Sequence, residues 1–136
     1  MKYVTGTYAL NIPCRLETDG DWHAPALDWK NPRVRESSTS VFADWGIEVS
    51  PLPNFGSVSL PVANHLRACL DLLEEGYFSS VQGMREDYIS NEAYTPIVLS
   101  KVLLLNEMPH WQQIDALLGR EYGCDWLTFR KEHLGY

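Results

Sequence analysis

The sequence predicts an α+β fold: a small antiparallel sheet from residues 2–50, covered on one face by a C-terminal bundle of four or five helices over 61–134. Three observations predict it. Short runs rich in Tyr, Val, Thr and Ile, separated by turn residues, occupy the first fifty positions. From Pro61 the apolar spacing changes to the helical one, with Val62, Leu66, Cys69 and Leu73 on one stripe. The 136 residues, 45% hydrophobic and 21% charged, suit one globular core. The reading is a single domain, 1–136, with a β-rich half at 1–57 and a helical half at 58–136.

Residues 2–13 read as a strand, stopped at Pro13, with Gly6 marking a bulge or a close approach. Thr18-Asp19-Gly20-Asp21 is turn chemistry, because Asp side chains bond nearby backbone and Gly accepts positive φ. Trp22-His23 and Ala26–Trp29 follow as a short strand or irregular loop, broken at Asn31-Pro32. Ser40–Trp45 and Ile47–Val49 read as two β-leaning pieces hinged at Gly46. Pro51, Pro53 and Gly56 form the one candidate linker, too short to separate independent domains.

The first helix is expected to start at Pro61 and end at Gly76, with Arg67, Asp71, Glu74 and Glu75 facing away from the core. A shorter helix is expected around Ser80–Ile89, capped by Ser79. Thr95-Pro96 opens a third, whose nearly continuous apolar run from Ile97 to Leu105 reads as a buried central helix. Pro109 opens a fourth carrying Trp111, Ile114, Leu117 and Leu118, ended by Gly119 or Gly123. Asp125 caps the last.

The net charge of −7 is uneven: residues 58–136 hold eleven acidic and six basic side chains, against seven and five in 1–57. An acidic surface repels phosphate backbones and anionic headgroups, which argues against nucleic acid and membrane surface and favours a partner with a basic or apolar face. Cys14, Cys69 and Cys124 are far apart, odd in number and lack a C-x-x-C pair, as in a reducing cytoplasm. No signal-like apolar segment follows Lys2, and no apolar run approaches a membrane span.

Asp19, Asp21, His23 and Asp28, framed by Trp22 and Trp29, form the densest polar group. They read either as turn formers or as a site, with Asp21 and His23 as an acid/base pair and Asp19 and Asp28 as added ligands in a metal-dependent version. The EF-hand pattern fails, because neither the glycine nor the final glutamate falls at its required position. Ser38-Thr39-Ser40 resembles the Ser-Thr-Ser run of some ADP-ribosyl transferases, but the Glu-x-Glu such a site needs is missing.

No G-x-S-x-G is present. Cys14 beside Arg15 is the strongest candidate thiol, with simple burial as the alternative. Asn64, His65 and Arg67 near a helix start are placed to hold an anion or to bond the β-half. Trp22, Trp29 and Trp45 lie beside acids in loop or strand-edge settings, as core-packing groups or as a binding face.

The segments Tyr3–Pro13, Gly20–His23, Asp44–Glu48 and Ala63–Arg67 together resemble a group of small uncharacterised bacterial proteins associated with toxin–antitoxin or phage-defence neighbourhoods. The resemblance implies a bacterial cytoplasmic accessory protein and assigns no role to any residue.

The functional expectation is a non-enzymatic interaction module, antitoxin-like or defence-accessory, that binds a partner protein through Trp22, Trp29 and Trp45 or its acidic helical face. It is expected to use no metal and no cofactor. The alternative is a small enzyme or ligand-binding domain with Asp21 and His23 for proton transfer and Arg67 for an anionic substrate. A homo-oligomer would show a two-fold apolar face. An enzyme would bring Asp21, His23 and Arg67 to one pocket, whereas a partner-binding module would gather the three tryptophans in an exposed patch.

Overall fold

Strands of two or three residues make too few ladder bonds to hold a sheet by themselves, so their placement must come from what packs on them. The computed structural model describes residues 1–49 and 60–136; the linker expected at 51–56 lies outside them. Four such strands, β1 (Lys2–Val4), β2 (Val34–Glu36), β3 (Ile47–Glu48) and β4 (Val62–Ala63), form one sheet in the order β2-β1-β4-β3. The outer pairs are antiparallel, with Tyr3 opposite Arg35 and Glu48 opposite Val62. The inner pair, β1 with β4, is parallel. The sheet is therefore mixed rather than antiparallel.

The first segment departs from the expected strand over 2–13. After Thr5 the chain turns into a short helix, α1 (Gly6–Leu10), that buries Ala9 and Leu10. Thr5 stands at the N-cap of α1 without capping it, because its hydroxyl is committed to Asp71 instead. Ser40–Trp45 is likewise not β: it runs as successive turns, with Ala43 N–H bonded to Ser40 O and Trp45 N–H to Phe42 O.

Pro61 does not start the first long helix. Its carbonyl accepts from Val4 N–H at 2.9 Å, just before β4, and the helix waits for Asn64, whose side chain caps Arg67 N–H at 2.8 Å. α2 (His65–Glu75) ends as expected at Gly76, where Tyr77 N–H reaches Leu72 O and Gly76 N–H reaches Leu73 O. Val62, Leu66, Cys69 and Leu73 are buried, as the spacing predicts. However, every residue from His65 to Glu74 is buried too, so α2 is the central helix.

The helix expected around Ser80–Ile89 is split into α3 (Phe78–Val81) and a π-helical turn at Met84–Tyr88. α4 (Thr95–Val102) starts at the expected Thr95-Pro96, but Ile97 (41% exposed) and Leu104 (51%) reach solvent, so it is peripheral rather than central. α5 (Trp111–Tyr122) and α6 (Cys124–Leu134) follow, with Asp125 in the first turn of α6. One core joins Tyr3 and Val4 to Leu66, Leu70, Leu118 and Trp126. No helix among the described residues is long and apolar enough to cross a membrane.

The polar face of α2 meets the sheet instead of water. Asp71 accepts from Tyr3 Oη (2.6 Å) and Thr5 Oγ1 (2.7 Å) on one oxygen, and from Arg67 Nε (2.9 Å) and Arg35 Nη1 (3.0 Å) on the other. Arg67 also donates to Tyr3 Oη (2.9 Å), Ala43 O (2.8 Å) and Trp45 O. Glu74 pairs with Arg35 at 2.8 Å and accepts from Ser40 Oγ and Val41 N–H; Glu75 pairs with Arg33. Gly46 permits this packing: it has φ +78°, and a Cβ there would lie 2.7 Å from Arg67 Cβ.

Removing one partner from a buried ion cluster leaves the others desolvated and unpaired. Asp71→Ala is therefore expected to lower unfolding free energy by about 3–5 kcal/mol. Urea unfolding checks this against Glu92→Ala, on a largely exposed side chain, which should change stability by no more than about 1 kcal/mol.

Candidate functional site

The loop through residues 18–25 is partly exposed yet braced at several points. Gly20, at φ +67°, lies flat on the protein: its N–H bonds Tyr88 O at 3.1 Å, and a Cβ would sit 2.3 Å from Leu10 O and 2.6 Å from His65 Cε1. Asp21 N–H bonds Leu10 O at 2.8 Å. Asp19 accepts from Ser90 Oγ at 2.6 Å. Asn11 then closes the loop from below, donating to Asp21 Oδ2 at 3.2 Å and accepting from His23 N–H at 2.9 Å.

Asp21 holds its own neighbours in place. Its Oδ1 accepts from Trp22 N–H (2.8 Å) and from His23 Nδ1 (2.5 Å). Nδ1 is thus the protonated nitrogen, and Nε2 of this 76% exposed ring is left facing outward. Partial burial pushes the Asp21 carboxyl up, but His23, Trp22 N–H and the Asn11 amide outweigh it and hold the group below the usual carboxylate range. The loop presents Trp22 with its side chain 81% exposed.

Trp22 stands between two clefts. One, of about 450 Å³, is mostly apolar and is lined by Leu10, Ile12, Pro13 and Pro25, with Thr18 and His65 among its polar groups. The other, of about 380 Å³, is acidic, with Asp19, Asp21, Glu86 and Asp87 around Trp22 and Tyr88. Asp19, Glu86 and Asp87 are exposed and have no ion pair among the described residues. The π-helical turn supplies Glu86 and Asp87, and Tyr88 O ties that turn to Gly20. A third cleft of about 540 Å³ lies between α4 and α6, where Arg85 is already paired with Asp125 at 3.1 Å.

The expected site residues separate into distinct places. Asp21, His23 and Trp22 converge. Asp28 does not join them: it binds Lys30 N–H and Asn31 in its own turn. Among the described residues no three His, Cys, Asp or Glu side chains are grouped to hold a metal ion. Arg67 is wholly enclosed under the sheet, so it does not share a pocket with Asp21 and His23. Trp29 packs edge-on to Tyr8 (5.2 Å between centroids) and donates Nε1–H to Ala24 O, while Trp45 lies under Lys101 Nζ at 4.4 Å. Of the three tryptophans, Trp22 alone stands largely in solvent, while Trp29 and Trp45 are partly buried against the core.

Glu86 and Asp87 were missed in the sequence because they lie more than sixty residues from Trp22. Their side-by-side acids after Gly83 were the available signal. The chain matches no protein-family model, no curated protein and no solved structure.

Asp21 titrates lower in the folded chain than in the unfolded one, so its stabilisation is complete above the unfolded carboxylate value of about 3.9 and fades as pH falls through the folded value. The stability gap between the wild type and Asp21→Asn is thus expected to be full at pH 7 and to shrink below about pH 4. Urea midpoints across that range measure it.

Proposed function

We propose that the chain is a protein-interaction module that docks a segment of a partner protein carrying a Lys or Arg beside an apolar side chain. The observation that carries this reading is Trp22, a large exposed indole on a loop whose backbone is fixed on both sides. A preordered aromatic loses little freedom on binding, which is why such residues concentrate binding energy. The acidic cleft suits a cation, which would meet Asp19, Glu86 and Asp87 as charges and the Trp22 face as a π surface. The apolar cleft on the other side suits the neighbouring side chain. The antitoxin-like or defence-accessory setting suggested by the sequence resemblance would use such a surface to hold a basic partner.

A peptide array with Lys/Arg-apolar, Asp/Glu-apolar and uncharged members tests the specificity. Basic members are expected to be retained, with affinity falling as salt rises. Trp22→Ala should weaken the best binder by about 2 kcal/mol or more, roughly thirtyfold. Glu86→Lys with Asp87→Lys should abolish the preference for basic members. Equal retention of acidic and basic peptides, or binding indifferent to Trp22→Ala, would overturn the reading.

The Asp21–His23 pair favours a second reading, an acid/base site with Nε2 as the proton acceptor. His23→Gln separates the two, since it removes that base while leaving Trp22 and the acidic cleft in place.

A further inference from the structure

A second group of side chains lies at the start of α2, beneath the apolar cleft. Cys14 Sγ is 3.4 Å from Thr18 Oγ1, and that hydroxyl is 2.7 Å from His65 Nδ1. His65 Nε2 lies 2.7 Å from Ile12 O, which can only accept, so Nε2 carries a proton and Nδ1 is the basic nitrogen of the neutral ring. The direction of the chain follows: the thiol donates to Thr18 Oγ1, and the Thr18 hydroxyl donates to Nδ1. Moving one proton to His65 reverses both bonds, so that Nδ1–H donates to Oγ1 and Oγ1–H donates to a thiolate. Neither state leaves a buried donor or acceptor stranded, and the charged state is therefore accessible.

Glu48 supplies an independent observation. It is 8% exposed, its Oε1 accepts from Arg15 N–H at 2.6 Å, and its buried Oε2 has no hydrogen-bond partner among the described residues. A carboxylate oxygen left in this condition favours a positive charge nearby, and the ring that can acquire one is His65. The imidazole bonds the Thr18 hydroxyl and the Ile12 carbonyl, and Cys14 and Glu48 both favour its protonated form. Cys14 is half-buried, and the cleft of about 450 Å³ reaches Pro13, Thr18 and His65 beside it.

We infer that Cys14 is a nucleophilic modification site, activated by His65 through Thr18, whose co-reactant is a low-molecular-weight disulfide. The Cys14 thiolate attacks one sulfur of the disulfide, a new S–S bond forms, and the old one breaks. The departing thiolate takes the proton held on His65. Cys14 is oxidised to a mixed disulfide as the reagent is reduced to one equivalent of thiol. Exchange at sulfur proceeds through an attacking thiolate, which the relay provides, and the proton left on His65 is available to the departing thiolate.

The titration behaviour agrees with the geometry. Burial pushes the Cys14 thiol up, but His65 and Thr18 outweigh it and bring it to about 7, while His65 itself is held above its ordinary value despite its burial. Cys69 differs in kind: it is wholly buried, and burial raises its thiol far from the neutral range.

The test uses 4,4′-dithiodipyridine on the 136-residue Cys124→Ser protein, which removes the exposed cysteine. One thiol per folded chain is expected to react, mapping to Cys14 by peptide mass, with a rate that inflects near pH 7. His65→Gln and Thr18→Val are each expected to move the inflection above pH 8 and to slow the reaction at pH 6 by about fivefold, the loss of thiolate being partly offset by its greater nucleophilicity. Far-UV circular dichroism confirms that each variant is folded. If either is not, the profile of the Cys124→Ser protein decides. An unreactive Cys14 in the folded chain, an inflection above pH 8 before any change at the relay, or an inflection that neither folded variant moves would overturn the inference.

Discussion

The structure depends on one carboxylate, Asp71, buried between a helix and a sheet. Strands β1 to β4 have only two or three residues each and cannot fix their own register by ladder bonds. Asp71 gathers Tyr3 and Thr5 from the first strand and its end, Arg35 from the second, and Arg67 from its own helix. Apolar contact would hold these elements together in several arrangements, because it has no direction. Hydrogen bonds to a buried charge have direction, and an alternative packing would leave the charge unpaired at a cost of several kcal/mol.

Arg67 extends the same constraint to the turns before β3. Its guanidinium reaches Ala43 O and Trp45 O, and it lies against the Tyr3 and Phe42 rings at 5.1 and 5.5 Å. The 40–46 segment thus owes its shape to a side chain more than twenty residues away, which is why its β-favouring composition does not make it a strand. Glu74 reinforces the arrangement by accepting from Ser40 and Val41.

At its first residue α2 also supports the loop that carries Trp22. His65 supports Gly20, bonds Ile12 O and meets Thr18, so the loop bearing Trp22 and the half-buried Cys14 both rest on the first turn of the central helix. The exposed indole and the Cys14–Thr18–His65 group share a foundation, although one stands in solvent and the other lies beside the apolar cleft. Rigidity of the loop comes from neighbours far apart in sequence: Leu10, Asn11, Tyr88 and Ser90.

The sequence by itself determined the α+β class, the buried stripe Val62, Leu66, Cys69 and Leu73, the end of α2 at Gly76 and the positive φ of Gly20, because apolar periodicity and glycine's backbone freedom are local properties; the turn expected at residues 18–21 does not form there, and the chain turns at Cys14–Glu17 instead. It also offered Asp21, Trp22, His23, Cys14 and His65 as candidates, together with Arg67, Trp29 and Trp45, which the structure buries or packs against the core. It assigned Arg67, Asp71 and Glu74 to solvent, since charge on the far side of a helix normally faces water. Only the tertiary structure decided otherwise, by setting Arg35 and Tyr3 opposite that face and so compensating the charges. The same holds for the sites: which carboxylates stand beside Trp22, and which base reaches Cys14, follow from contacts between segments tens of residues apart, and no local pattern encodes them.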